Sequence, residues 1–159
     1  MLTINMERTL VILKPDAINR SIVGEVIHRF ERKGLKIAGL KLVHLDDKTL
    51  DEHYAHHKGK PFFESYKKFM KSAPSTLVVL EGKSAVEVAR TMSGPTYGHE
   101  APPGTIRGDY SLSSAQNIVH ASDSSETAED EIKRFFKPSE LFDWRRVDLE
   151  FLYSEDERS

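Results

Sequence analysis

"RTLVILKPD", residues 8–16, holds an unbroken apolar run from Leu10 to Leu13, closed by Lys-Pro-Asp. A run that short, with Val and Ile inside it and a proline turn behind it, predicts a buried strand with Lys14 at its exit. Downstream, Ile22, Val23, Val26, Ile27 and Phe30 recur at helical spacing, with Ser21 as the expected cap and Gly34 as the stop. "LKIAGLKLVHL", residues 35–45, alternates apolar with basic or small residues, as a half-buried strand does. A second helical region is expected over residues 49–58. Pro61 opens another helix, with Phe62, Phe63, Tyr66, Phe69 and Met70 as its apolar stripe.

"STLVVLEG", residues 75–82, reads as a further buried strand, and "SAVEVARTMSG", residues 84–94, as a helix with a Ser84-x-x-Glu87 capping box and Gly94 as terminator. Residues 95–114 are rich in Pro, Gly and Ser, too long for a plain connection, and so are expected to carry function. Ile118 and Val119 predict a brief strand, Asp123 or Ser124 a cap, and Ala128, Ile132, Phe135 and Phe136 the buried stripe of a last helix. The chain reads as one domain over residues 1–159, with 1–6 as an extension, Met6 as an alternative start, and 154–159 as a mobile tail. Strands alternating with helices favour an α/β arrangement on a parallel sheet.

At 159 residues the chain is the size of one typical domain. A chain of that length buries roughly two-thirds of its unfolded surface. Lys plus Arg number 23 against 25 Asp plus Glu, a formal charge of −2, so nothing draws the whole molecule toward nucleic acid or an anionic membrane. Any anion site must be local. The absence of cysteine rules out disulfides and thiolate metal sites and points to a cytoplasmic location. The apolar runs are too short to span a bilayer, and Glu7 and Arg8 interrupt any amino-terminal apolar core.

Neither G-x-x-x-x-G-K-[ST] nor G-x-G-x-x-G is present, so side chains must hold any phosphate. The cationic candidates are Lys14 after the first strand, Arg90 on a helix and Arg107 in "PPGTIRGDY"; each alone also reads as a solvated surface charge. "HYAHH" sets His53 and His57 at a metal-ligand spacing but lacks the glutamate that a zincin helix places after its first histidine, so a solvated helix face is expected there. Arg107-Gly108-Asp109 carries no adhesion reading in such a chain. "NIVHASDS", residues 117–124, places His120 where a strand ends. Imidazole is largely uncharged near neutral pH and already nucleophilic, so His120 is either a nucleophile or a satisfied packing residue. Glu131 flanks the stripe of the following helix and can turn back to orient it.

Together "ERTLVILKPDAINR", "EHYAHHKGKPFF", "PGTIRGDYSLSSAQNIVHASDS" and "AEDEI" resemble the nucleoside diphosphate kinase family, over about Glu7 to Tyr153. The resemblance implies a ferredoxin-like α/β sandwich (α+β) with a four-stranded antiparallel sheet and helices packed on it, in place of the parallel sheet. It implies reversible ping-pong transfer of the γ-phosphoryl group from ATP, or another nucleoside triphosphate, to nucleoside diphosphates through a phosphohistidine at His120, maintaining triphosphate pools. By the same resemblance Lys14, Arg90, Thr96 and Arg107 match phosphate ligands, and Lys14 and Asn117 also reach the ribose. Phe62 matches the ring on which the base stacks, Tyr54 lies by the histidine, and Ser122 and Glu131 support it. Mg2+ rides on the nucleotide phosphates, with no metal-binding residue assigned. A homo-oligomer is implied, hexamer before tetramer.

The chain departs from the family pattern where Tyr97, Gly98, His99 and Glu100 intervene between Thr96 and Pro102, and where Ala121 replaces a common glycine. That loop approaches the phosphates and packs between subunits in the family. Its alteration motivates a rival reading, a nucleotide-sensing or partner-binding module that keeps the pocket without turnover.

Overall fold

Residues 5–158 are described by a computed structural model of the chain. Residues 1–4 of the expected extension lie outside the described residues, whereas Met6 already belongs to the first strand. The order of elements is β1 (Met6–Leu13), α1 (Pro15–Asn19), α2 (Val23–Lys33), β2 (Lys36–Val43), α3 (Asp47–His53), α4 (Phe63–Met70), β3 (Ser75–Lys83), α5 (Ala85–Ser93), α6 (Ile106–Tyr110), β4 (Val119–Ala121), α7 (Ser125–Phe135), α8 (Leu149–Leu152) and α9 (Glu155–Arg158). The strands form one sheet in the order β2-β3-β1-β4, and every neighbouring pair is antiparallel. The sandwich with an antiparallel sheet is therefore the fold. The parallel sheet suggested by simple alternation is corrected, because β1 and β3 pair directly and antiparallel along the whole length of β1, with four helices and β2 between them in sequence.

Both faces of the central strands are covered, which is why β1 reads as a continuous apolar run and not an alternating one. Val11 and Leu13 pack with Val26, Phe30, Ala85, Ala89 and Ile106. Leu10 and Ile12 point the other way, into Leu50, Phe63, Met70, Ile132 and Phe135. Each such fully buried aliphatic side chain contributes about 1.5–3 kcal/mol.

The expected stripes of α2 and α7 are the buried ones, with Val26 and Phe30 on one and Ala128, Ile132 and Phe135 on the other. Gly34 ends α2 in the left-handed conformation at φ 105°, which a glycine adopts without a Cβ penalty. Ser124 caps α7 by accepting from the Thr127 N–H at 3.1 Å.

Two expected caps are not formed. Ser21 sits at φ 57° one residue before the N-cap, Ile22, and makes no cap bond. Ser84 is itself left-handed, so its side chain does not reach the first turn of α5. Glu7 of β1 replaces it, accepting from the Val86 N–H at 2.9 Å and placing a carboxylate at the helix's positive end. At the carboxyl end, Glu157 of α9 pairs with Lys83.

Candidate active site

β4 is only three residues long, and its register decides the site: His120 lies opposite Ile12 and so faces the same layer as α3 and α7. Immediately before it the chain makes a three-residue turn, with the Val119 N–H donating to the Asn117 carbonyl at 2.8 Å across Ile118 at φ 72°. A β-branched residue in that conformation costs about 1–2 kcal/mol. The surrounding bonds offset it: the Ile118 N–H donates to Asp16 Oδ2 at 3.0 Å, and its carbonyl accepts from the Lys14 N–H at 2.8 Å. The turn between strand and histidine is thus held by the residues that leave β1.

Lys14 is 5 % exposed, and no carboxylate among the described residues lies within ion-pairing distance of it. Its ammonium donates to Asn117 Oδ1 at 2.7 Å and to the Ala115 carbonyl at 3.4 Å, and stands 5.3 Å from the centre of the Tyr66 ring. Asn117 is in turn fixed by donating to the Thr96 and Ser114 carbonyls at 2.8 and 2.9 Å.

Arg107, in the first turn of α6, donates to the Gly94 carbonyl at 2.6 Å, the Asn117 carbonyl at 3.3 Å and the Val119 carbonyl. Three of its five N–H groups are so committed, and two remain for a ligand. Burial, with Arg90 nearby, lowers its pKa to about 10, which leaves it charged at neutral pH. Gly108 behind it permits a close approach, since a Cβ there would lie 1.9 Å from the Pro102 carbonyl oxygen. Asp109 is engaged with Arg29 at 2.6 Å, so the Arg-Gly-Asp tripeptide is a structural corner.

Arg90 is half-exposed and paired with Asp123. Phe62 is 48 % exposed at the end of α4, its back against the edge of the His57 ring at 5.2 Å. These groups line one cleft of ≈ 1190 Å³, with Lys14 and Arg107 against Phe62 and His120. A second groove of ≈ 930 Å³ includes Glu7, which accepts from the Ser125 hydroxyl, and Lys83, which pairs with Glu157.

His120 Nε2 meets Glu131 Oε2 at 2.6 Å, and Glu131 is 3 % exposed within the apolar stripe of α7. A carboxylate so buried must be paired. This leaves Nδ1 of His120 without a hydrogen bond among the described residues, on the side open to the cleft. Ser122 lies farther off in function: its hydroxyl donates to the Leu10 carbonyl and accepts from the Leu10 N–H, both at 3.3 Å, extending the β1 edge behind the histidine. Tyr54 is buried, its ring centre 6.3 Å from that of His120 and its hydroxyl bonded to that of Tyr66 at 3.2 Å. Nine of the ten sequence-derived site residues therefore line one cleft, Thr96 reaching Asn117 through its backbone, and the tenth, Ser122, lies buried behind it.

The histidine run is corrected. α3 stops at His53 and a separate 3-10 turn covers Ala55–His57, so His53 and His57 do not share a helix face. His53 is buried and not solvated, with Nε2 3.4 Å from Glu131 Oε2 and Nδ1 3.2 Å from Arg134 Nη1. His53, His120 and Glu131 each put a ligand atom within 4.8 Å of one another, as a metal group would. The hydrogen bonds argue otherwise: a guanidinium only donates, so Nδ1 of His53 is the acceptor and Nε2 carries the proton. That nitrogen is not a free ligand.

Burial foremost, then the neighbouring His120 and Arg134, lowers the His53 pKa to about 2. An unfolded histidine titrates near 6.5, so below that pH the unfolded chain binds a proton the folded chain refuses. Stability from this group is complete above about pH 6.5 and is lost as pH falls, by about 2 kcal/mol at pH 5. Urea unfolding across that range, compared with His53→Gln, checks this; an unchanged slope in the variant contradicts it.

Asp16, His53, Tyr66 and Arg134 were not legible as site residues. His53 stands out in the sequence only as part of the His53–His57 run, and Arg134 only as the residue three after Glu131 on the same helix face.

The nucleoside diphosphate kinase family model matches residues 7–141. A nucleoside diphosphate kinase of Parabacteroides distasonis is 55 % identical over 152 residues, covering 96 % of this chain and 99 % of that protein. One from Staphylothermus marinus is 57 % identical over 140 residues, 88 % of this chain and 99 % of that protein. Among solved structures, a halophilic nucleoside diphosphate kinase of Halobacterium salinarum in complex with CDP aligns with a TM-score of 0.91 at 41 % identity, over 93 % of this chain and 99 % of that one.

Proposed function

Given that the chain belongs to the nucleoside diphosphate kinase family and is an enzyme of the phosphotransferase class, we propose that its γ-phosphoryl transfer runs through Nδ1 of His120. The observation that carries this is the 2.6 Å bond from His120 Nε2 to buried Glu131, which orients the ring and leaves its other nitrogen toward the cleft. The Nδ1 lone pair forms the N–P bond while the Pγ–O bond breaks and its electron pair leaves on the nucleoside diphosphate. Nε2 keeps its proton, and the positive charge gained by the ring is met by the Glu131 carboxylate. The reverse sequence on a second diphosphate completes a ping-pong cycle.

Lys14 and Arg107 supply fixed, carboxylate-free cations for the phosphate oxygens, and Arg90 joins them by exchanging Asp123 for substrate. Thr96 completes the phosphate ligands. Asn117, with both amide N–H groups committed, contributes through its remaining acceptor lone pair to the ribose and through Lys14 to the phosphates. Phe62 presents a π-face to any base, worth roughly 1–3 kcal/mol with little discrimination. Tyr54 and Ser122 keep the histidine's surroundings in place.

A divalent cation suits such a reaction, and we take it to be Mg2+ held by the nucleotide phosphates. The cleft's imidazole, ammonium and guanidinium groups are poor ligands for so hard an ion, so it enters with the substrate. ATP and nucleoside diphosphates are the substrates of this reading.

The outer strand β2 exposes Leu40 and Leu42 beside Phe142 and Trp144, which supports a homo-oligomer, with the hexamer favoured over the tetramer. No helix among the described residues is long and apolar enough to cross a membrane, and a cytoplasmic location is part of the proposal.

Incubation with γ-labelled ATP tests the mechanism. The label should be acid-labile, alkali-stable, located on His120 and discharged by added GDP. Nucleotide binding by calorimetry without any such label would instead favour the sensing module.

A further inference from the structure

His53 presents a problem that its packing does not solve. Its ring is wedged edge-on between Tyr54, His120 and Phe135, with centroids 4.5, 4.8 and 5.0 Å away. Those contacts fix the plane of the ring but do not distinguish its two nitrogens. Only the polar contacts at those nitrogens do. Nε2 lies 3.4 Å from Glu131 Oε2, the same oxygen that holds His120 at 2.6 Å. In one tautomer this contact is N–H against a carboxylate; in the other it is a lone pair against a carboxylate, which repels.

We propose that Arg134 is a positioning residue for phosphoryl transfer: by donating to Nδ1 of His53 it keeps that ring in the Nε2–H tautomer aimed at Glu131, and through Glu131 it holds His120 with Nδ1 presented to substrate. Arginine has no acceptor, so its 3.2 Å contact admits only an unprotonated Nδ1. The guanidinium is itself braced, with Nε 3.3 Å from Glu52 Oε1 and its side chain 22 % exposed. It stands one helical turn beyond Glu131 on α7, so both ends of the relay share a rigid element.

The remaining charged or titratable groups near His53, namely His120, His56 and Lys14, also oppose a second proton on it. The Glu131 oxygen that binds His120 Nε2 at 2.6 Å, with His53 Nε2 facing it at 3.4 Å, stays in place while the His120 ring gains charge on phosphorylation. The inference rests on His120 being the phosphoryl acceptor.

Imidazole 15N shifts of His53, read alongside kcat and KM in the full-length enzyme, test it. The wild type should show the Nε2–H tautomer. Arg134→Leu should redistribute the tautomers and lower kcat about tenfold or more with KM little changed, since only the geometry of the reacting ring is altered. Arg134→Lys and Arg134→Gln keep a donor and should recover most of both readouts; they carry the test if the leucine variant does not fold. An Arg134→Leu enzyme that keeps either the wild-type tautomer or the wild-type kcat overturns the proposal, as does failure of both donor variants to restore them. Absence of label on His120 in the wild type would defeat the functional reading instead, so the two failures are distinguishable.

Discussion

His120→Ala is expected to lower phosphate exchange by about 10⁴-fold or more and to abolish the acid-labile label. The motive is the asymmetry of the ring's surroundings: Nε2 is committed to Glu131, and Nδ1 is committed to nothing among the described residues. With the nucleophile gone, the proposed phosphate ligands Lys14 and Arg107 remain, so nucleotide affinity should change little. Stability should fall by about 1–3 kcal/mol, because Glu131 is then a buried carboxylate left with the long contact from His53. Rapid-quench measurement of labelled ATP turnover decides the matter. Exchange persisting within tenfold of wild type would end the case for this nucleophile.

The second large effect belongs to Arg107. Arg107→Ala should reduce kcat/KM by about 10²- to 10³-fold through the loss of one preorganised cation at the transferring phosphate. Unlike the histidine variant, it should also destabilise the fold by about 2–4 kcal/mol, since three carbonyls, of Gly94, Asn117 and Val119, lose their donor together. Arg107→Lys restores the charge without the planar fork. A single ammonium cannot serve three carbonyls and a ligand from one point. The lysine variant should therefore remain both slow and less stable. A lysine enzyme equal to wild type in chemical denaturation and in turnover would show that the guanidinium's carbonyl contacts carry neither property.

The two variants separate roles that the cleft combines. On the proposed mechanism His120 serves chemistry and leans on one residue, whereas Arg107 serves as ligand and also ties together the loop after α5, the turn before β4 and β4 itself. The same economy holds for Lys14, whose ammonium fastens Asn117 and whose backbone N–H fastens Ile118. The residues proposed to bind phosphate are thereby the ones that keep the strained turn at Ile118 in place, which couples the shape of the site to the integrity of its charges.

The altered loop, Tyr97 to Glu100, does not open the site. It folds into a 3-10 turn at Gly98–Glu100, with the Gly98 N–H donating to the Ser113 carbonyl at 3.2 Å, and Thr96 keeps its hold on Asn117. Nothing in its geometry removes a proposed phosphate ligand from the cleft.

What the chain announces by itself is whatever neighbours in sequence decide. The run Leu10–Leu13 declares a strand buried on both faces, the spacing of Val26 and Phe30 declares a helix face, and Gly34 declares its end, because each depends on backbone geometry within a few residues. The histidine motif at 117–124 declared its family in the same local way. Tertiary structure alone decided that β1 and β3 pair antiparallel and that Glu7 caps a helix beginning 78 residues later. It also decided that His53, read as solvated, lies buried against Glu131. These outcomes turn on contacts between groups far apart in the chain. Local pattern records which residues are apolar or charged, not which distant partner will satisfy them once water is excluded.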